Sequence, residues 1–416
     1  MQYLFTERAH LMCPHMNFGI VMSVRVPYEE ERIRKLLEQL SAAHPFLNAL
    51  LGYDQNKNAY YYRVTERPTT ELELKAQALP DAGDPEVLRE YEELTSRDWD
   101  LFAEGMLKIV AWPMKEGTCF LLAFHHLLAD GRGALGLAQE LADCYASGKQ
   151  PRFAEEILIA SADEFPKDSR MTFISRFMIG LANKKQAKEQ KILSYPEYHA
   201  FADAFLKKDM VSCSVVRTGA EEVEKLRQAC RENGVTLNDY LLARMMIEDR
   251  TKKVIMACDL RDRLGCYAEG ALGNYSTAFS VEVKETGTDP YELAKAVHRK
   301  VQTKLNRPQD LYLVLQCYAN LDPAVLDTAF MACRGDYPNK PGKFVGSVFF
   351  GFDAPKGYSI TNLGRINNEC ITEAYFIPPA SPAVRKTQGV LTVNGQMTVC
   401  TTERYKRDKN RCKNMF

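Results

Sequence analysis

The sequence predicts an α/β protein, an α+β sandwich in two lobes, and three observations carry that expectation. Strand-like runs alternate with amphipathic helical runs. The chain has 416 residues, more than one core of ordinary size accommodates. The regular pattern lapses once, from Lys149 to about Asp209, where charged and mixed stretches take over. The expected division is an N-terminal lobe over 1–165, a linker over 166–208 and a C-terminal lobe over 209–416. A composition of 46% hydrophobic and 26% charged residues excludes global disorder. Lys plus Arg balances Asp plus Glu at 54 each, so the basic field that nucleic-acid binding needs is missing.

Ile20, Met22, Val24 and Val26 alternate as in a half-buried strand ending at Pro27. Ile33, Leu36, Leu37 and Leu40 then recur at helical spacing behind the acidic first turn of Glu29, Glu30 and Glu31, and His44-Pro45 stops the helix. The apolar runs Met106 to Trp112 and Thr118 to Phe124 flank Lys115-Glu116-Gly117 as a hairpin. The second run leads into His125-His126, a turn at Asp130-Gly131, and a helix marked by Leu135, Ala138, Leu141 and Tyr145 that stops near Gly148. The basic amphipathic segment Phe173 to Lys191 reads as packing against a lobe in preference to lying on a membrane.

Past the linker, a strand is expected at Met210 to Val216. Thr218 and Thr236 are expected to cap the next two helices, the second running from Leu237 to about Asp249. Further strands are expected at Val254 to Cys258, Thr277 to Val283, Val345 to Phe350, Glu373 to Phe376 and Val390 to Cys400, the last a hairpin turning at Asn394-Gly395. The last ten residues read as a solvated basic tail.

Twelve cysteines spread from Cys13 to Cys412 without a CxxC pair read as free thiols of a reducing cytoplasm. No signal peptide and no bilayer-spanning run is evident, so a cytoplasmic location is expected. His10, Cys13 and His15 offer three metal ligands without a fourth, and no metal is predicted.

Only seven histidines occur, and two adjoin an Asp-Gly turn in His125-His126-Leu127-Leu128-Ala129-Asp130-Gly131. A histidine at the end of a buried strand is fixed, shielded and titrates near neutrality, as a general base must. Successive strand side chains point to opposite faces, so one of the two faces the site, and His126 is the candidate. The other reading of the residues is a packed pair at a strand end.

HHLLADG resembles the HHxxxDG motif of the superfamily that includes chloramphenicol acetyltransferase, peptide-synthetase condensation domains and alcohol acetyltransferases. LLEQLSAAHPFLNALL, ENGVTLNDYLLAR, MACDLRDRLGCYAEGALGNYSTAFSV, SITNLGRI and GVLTVNGQMTV resemble further stretches of it in the same order. The resemblance implies two chloramphenicol-acetyltransferase-like lobes with a central tunnel, in a chain that is a monomer. It implies His126 as base with His125 beside it, Asp130 as a structural carboxylate paired with Arg261, and Gly131 at the turn. Asn274, Tyr275 and Ser276, with Thr361 and Asn362, are the candidates for oxyanion or substrate positioning. Asn48 stands in HPFLN where condensation domains often carry Arg, which tilts the reading towards alcohol acetyltransferases, and no plant-type DFGWG occurs.

The implied activity is acyl transfer from a coenzyme A or carrier-protein thioester to an alcohol or amine. Acyl-CoA or acyl-phosphopantetheine is then a co-substrate, with no permanently bound cofactor, and any carrier protein comes in trans. The motif offers no Ser or Cys nucleophile, and Cys119 inside an apolar strand reads as inert. The alternatives are a free-standing condensation protein or a noncatalytic carrier-docking homologue, and, further off, an NAD-binding oxidoreductase. The last rests on Gly131-Arg132-Gly133-Ala134-Leu135-Gly136, a literal GxGxxG, with Asp163 downstream.

Overall fold

The computed structural model describes residues 2–353 and 357–406. Its strands are β1 (Gln2–Tyr3), β2 (Asn17–Val24), β3 (Ala49–Asp54), β4 (Ala59–Val64), β5 (Glu71–Leu74), β6 (Leu107–Met114), β7 (Gly117–His125), β8 (Asp209–Thr218), β9 (Lys253–Asp259), β10 (Ser276–Glu282), β11 (Gly357–Ile366), β12 (Ile371–Ile377), β13 (Val384–Val393) and β14 (Gln396–Lys406). Its helices are α1 (Glu30–Ala43), α2 (Pro85–Leu94), α3 (Gly131–Ser147), α4 (Phe173–Glu189), α5 (Tyr195–Leu206), α6 (Ala220–Glu232), α7 (Leu237–Glu248), α8 (Pro290–Leu305), α9 (Pro308–Leu311), α10 (Leu313–Asn320), α11 (Pro323–Arg334) and α12 (Lys340–Val345).

Two large sheets organise the two lobes. The first runs β12-β2-β7-β6-β5, the second β10-β9-β11-β13-β14-β8, and β1-β4-β3 form a small third sheet. Each large sheet has its own apolar core, one around Ile20, Leu121 and Leu141, the other around Leu242, Val254 and Val297. The lobes also share a strand. β12 follows β11 in the chain yet pairs antiparallel with β2, Tyr375 opposite Val21, so the C-terminal half completes the sheet that carries the motif.

This crossing corrects the expectation for the first strand. β2 is not half-buried: Phe18 to Val24 are all buried, because β12 and β7 flank it and helices cover both faces. Tyr91 of α2 lies against Gly19 on one side, and α3 packs on the other. The second correction is Val345 to Phe350, which is no strand. Val345 ends α12 and a π-helical turn covers Gly346–Phe350. A Cβ on Gly346 would stand 2.3 Å from the Ala329 carbonyl oxygen of α11, so two helices meet there, and Val345 is buried among Leu321 and Val325. Third, Thr218 ends β8, and Gly219 stands at the α6 cap without a side-chain bond. Thr236 does cap α7, in a box with Asp239.

The segment read as a linker folds into α4 and α5. Thr172 caps α4, Ser194 and Glu197 form a capping box on α5, and the Tyr195 hydroxyl donates to the Trp99 carbonyl. The hairpin turns at Asn394-Gly395, with φ of 49° and 87°, the left-handed pair a two-residue turn requires. The basic tail and Cys412 lie outside the described residues. The cysteines within them are all free.

His44 ties the end of α1 to α3 through a 2.6 Å bond from Nε2 to Glu140, with Glu156 3.8 Å from Nδ1. Burial pulls this imidazole down, but the two carboxylates outweigh it and hold it at about 9. A pKa raised on folding stabilises fully below the ordinary value of 6.5 and is lost as pH rises through about 9. At about 1.4 kcal/mol per unit, the loss approaches roughly 3 kcal/mol. Thermal melts should show the midpoint falling between pH 7 and pH 9.5, and His44→Gln should flatten that slope.

Candidate active site

β7 delivers the motif. It is buried along its whole length and ends at His125, and the chain turns through Leu127 and Leu128 before α3 begins. Asp130 is the N-cap of α3, its Oδ1 accepting from the Arg132 and Gly133 amides at 3.0 and 2.9 Å. The same carboxylate accepts from Arg261 Nη1 and Nη2 at 2.9 and 2.8 Å and from the Tyr275 amide at 2.9 Å. Burial would push this carboxyl up, but Arg261 and the amides hold it below the usual carboxylate range. Ala129 forms a β-bridge with Gly273, and the Asp130 amide donates to the Gly273 carbonyl. The motif loop is thus stitched to the segment before β10.

His126 stands one residue past β7. Asn274 grips it twice: Nδ2 donates to the His126 carbonyl at 2.8 Å, and Oδ1 lies 2.9 Å from His126 Nδ1. The amide orientation is set by the backbone carbonyl, which needs a donor. Oδ1 can then only accept, so Nδ1 carries the proton and Nε2 keeps the lone pair. The His10 ring stacks on His126 with centroids 4.3 Å apart and planes 18° apart, and Phe18 meets it edge-on at 5.3 Å. Burial lowers the His126 pKa, with the backbone, Asp130 and Asn274 pulling back in part, so the ring is neutral at pH 7. His125 points elsewhere. Its Nδ1 accepts from the Leu127 amide at 3.2 Å, and burial with the neighbouring His126 lowers it to about 3.

Other expected residues divide. Asn274 has both polar ends committed to His126, so it positions the ring. Ser276, Thr361 and Asn362 line a separate cavity of about 230 Å³ with Asp130, Arg132 and Asp259. It opens because β11 pairs with β9 only at Ser359 and Ile360, and the strands splay beyond. Asn362 Oδ1 accepts from the Gly364 amide at 2.8 Å and so holds its own bulge, whereas Ser276 and Thr361 remain as cavity-lining hydroxyls.

Gly131 makes no turn. It is the first residue of α3, and a Cβ there would stand 2.7 Å from Leu363 Cδ2. A Cβ on Gly133 would stand equally close, 2.7 Å from the Leu272 carbonyl oxygen, and there the neighbour is backbone. Gly131, Gly133 and Gly136 all lie within the helix, so the literal GxGxxG forms no strand-to-helix phosphate loop, and Asp163 sits in an isolated 3-10 turn. His10, Cys13 and His15 diverge: His10 stacks on His126, His15 Nε2 meets Asp209 at 3.0 Å, and Cys13 is buried. Among the described residues no group of three or more His, Cys, Asp or Glu side chains is placed to hold a metal. Burial pushes the Cys119 thiol up.

His10 and Phe18 are site residues that sequence reasoning missed. The signal was present in the scarcity of histidines, but His10 was read only as a weak metal ligand.

Two sheets joined at a histidine-bearing strand end, with the motif aspartate locked to an arginine of the other half, define a chloramphenicol-acetyltransferase-like protein. More narrowly, the chain belongs to the condensation-domain family, whose family model matches residues 1–248 and so includes the motif. Condensation domains are transferases of acyl and peptidyl groups. Surfactin synthase subunit 1 of Bacillus subtilis (strain 168) is 30% identical over 151 residues, 36% of this chain and 4% of that protein's length. The first condensation domain of the calcium-dependent antibiotic synthetase superposes with a TM-score of 0.60 at 10% identity, covering 97% of this chain and 91% of that one. The epimerization domain from the third module of tyrocidine synthetase B gives 0.54 at 13%, covering 97% and 89%. Polyketide synthase associated protein 5 from Mycobacterium tuberculosis gives 0.54 at 14%, covering 98% and 93%. At such identities these structures show a shared fold.

Asp130→Ala should lower both rate and thermal stability, because α3 loses its cap and Arg261 loses its two-pronged partner, keeping only the Asp259 carboxylate at 3.0 Å. Arg261→Ala should behave alike, and a double-mutant cycle should be strongly non-additive. Additive losses would refute the coupling.

Proposed function

We propose that the protein transfers an acyl group from a thioester to a hydroxyl or amine, with His126 as general base. The carrying observation is the Asn274 clamp, which leaves a neutral imidazole with its Nε2 lone pair free of any hydrogen bond to the described residues. In this reading Nε2 takes the proton of the acceptor as it attacks the thioester carbonyl. The tetrahedral adduct then collapses, the carbon–sulfur bond breaks, and the proton passes to the departing thiolate. Asp130 and Arg261 touch no substrate and hold the loop. In this reading Ser276 and Thr361 position substrate, a role supported by their place in the lining of the cavity between the splayed strands.

The thiol arm of the donor is phosphopantetheine, borne by a carrier protein in trans or by coenzyme A. The family match supports the carrier, since condensation domains work with carrier-bound substrates. Asn48 supports the other donor: it is committed to the Ser41 carbonyl at 2.9 Å, where condensation domains often carry an arginine. The deciding assay supplies acyl-CoA and acyl-carrier-protein donors to the full chain against panels of alcohols and amines. No transfer from either donor class would sink the proposal, and carrier binding without transfer would point to a docking protein instead.

His126→Ala should leave the fold intact and lower transfer by about 10²- to 10⁴-fold, the usual contribution of a positioned base. His125→Ala should cost less, and equal losses would overturn the assignment. The wild-type rate should be flat above pH 6.5 and fall only on the acid side, because the His126 pKa is depressed and the active form is the deprotonated one.

Direct attack requires a ternary complex. Varying both substrates should give intersecting lines, and donor alone should leave no acyl adduct detectable by mass spectrometry. Cys119→Ala should keep most activity, since its thiol is fully buried and shifted away from the thiolate form. Parallel lines with an adduct on a cysteine would move the mechanism to covalent catalysis.

A further inference from the structure

Helix α4 carries apolar residues on both sides. Ile179 and Ala182 are buried against its neighbours, yet Phe173, Ile174, Phe177 and Leu181 on the outer side are 74%, 70%, 57% and 42% exposed. Isolated exposed apolar residues need no explanation, but four at helical spacing on one helix do. α12 runs antiparallel alongside. Asn339 at its start bonds Gln186 near the end of α4, and the Lys340 amide donates to Glu189. Its far end therefore brings Phe344 and Val348, 36% and 56% exposed, beside the apolar half of α4.

The opposite end of the same surface is basic. Lys184, Lys185 and Lys188 of α4 are exposed, as are Lys340 and Lys343 of α12. Glu189 is the carboxylate of α4, and it is engaged by the Lys340 amide. Rings more than half exposed protrude, a shape for insertion among acyl chains. Lysines at one end of such a surface meet anionic headgroups, and the inner side of α4 is apolar because it packs on the fold, leaving the outer patch and its basic flank to face a lipid surface. A file of rings runs from the π-helical turn beside the patch to the site. Phe350 at the end of the π-helical turn lies 6.0 Å from Tyr318, Tyr318 lies 6.3 Å from His10, and His10 stacks on His126.

We propose that the outer face of α4, with the end of α12 beside it, docks this protein on an anionic lipid surface. The attachment is peripheral, since no helix among the described residues is long and apolar enough to cross a membrane. It does not depend on the acyl-transfer reading, and its test uses no substrate.

The full chain is sedimented with vesicles of phosphatidylcholine alone and of phosphatidylcholine mixed with phosphatidylserine. Binding is expected to the mixed vesicles only, and to weaken as salt is raised. Phe173→Ser with Phe177→Ser, and separately Lys184→Glu with Lys185→Glu, should each weaken it by about tenfold or more. All four side chains are exposed, so the variants should keep the wild-type melting temperature. Absence of binding to anionic vesicles, or binding that both double variants retain, overturns the proposal. So does a dimer that Phe173→Ser with Phe177→Ser dissociates while vesicle binding stays absent, because the face then belongs to a second copy of this chain.

Discussion

The Asp130 carboxylate is the group to which both halves of the molecule answer. It caps α3 through the amides of Arg132 and Gly133, receives the guanidinium of Arg261, and takes the amide of Tyr275. A buried carboxylate is costly unless its lone pairs are matched by donors, and here the donors come from two distant parts of the chain. The loop can close only when the segment before β10 is in place. The geometry of the motif loop is therefore coupled to the docking of the lobes, and β12, lent from the C-terminal half to the first sheet, reinforces the same junction.

The division of labour between the histidines follows from that junction. His125 is buried and His126 half-buried, and desolvation lowers the pKa of both. What separates them is the partner. His125 spends Nδ1 on the adjacent backbone, an arrangement that completes a turn and does nothing more. His126 meets Asn274, which the docked lobe supplies, and the clamp selects one tautomer of a neutral ring. His10 and Phe18 then limit the ring's rotation from two sides. A ring held this way gives up some basicity for orientation.

Much of this was legible in the sequence, unevenly and for identifiable reasons. The hairpin that carries the motif and the turn at Asn394-Gly395 are local, and their signals are local too. The strand read at Val345 to Phe350 failed because a short run of valine and phenylalanine is equally compatible with a buried helix, and only the contact of Gly346 with Ala329 decides it. Within the stretch read as a linker, the amphipathic segment Phe173 to Lys191 coincides with α4, whereas α5 went unread although Ser194 and Glu197 spell its capping box. β2 looked half-buried because the partner that covers it, β12, comes more than three hundred residues later. At the site, the pairing of Asp130 with Arg261 came through the family resemblance, whereas the Asn274 clamp and the His10 stack are tertiary juxtapositions that no local pattern announces.

The fold alone does not decide the reaction, since an epimerization domain and a polyketide synthase associated protein superpose on this chain equally well. The discrimination has to come from side chains. One constraint is geometric: Gly133 lets α3 begin against the Leu272 carbonyl, so the helix start, Asp130 and the opening between β9 and β11 are brought to one place. A side chain at 133 would push α3 off that carbonyl and separate Asp130 from Arg261. The cavity lined by Ser276 and Thr361 thus shares a wall with the loop that carries His126, because Asp130, which caps α3 and pairs with Arg261, also lines it.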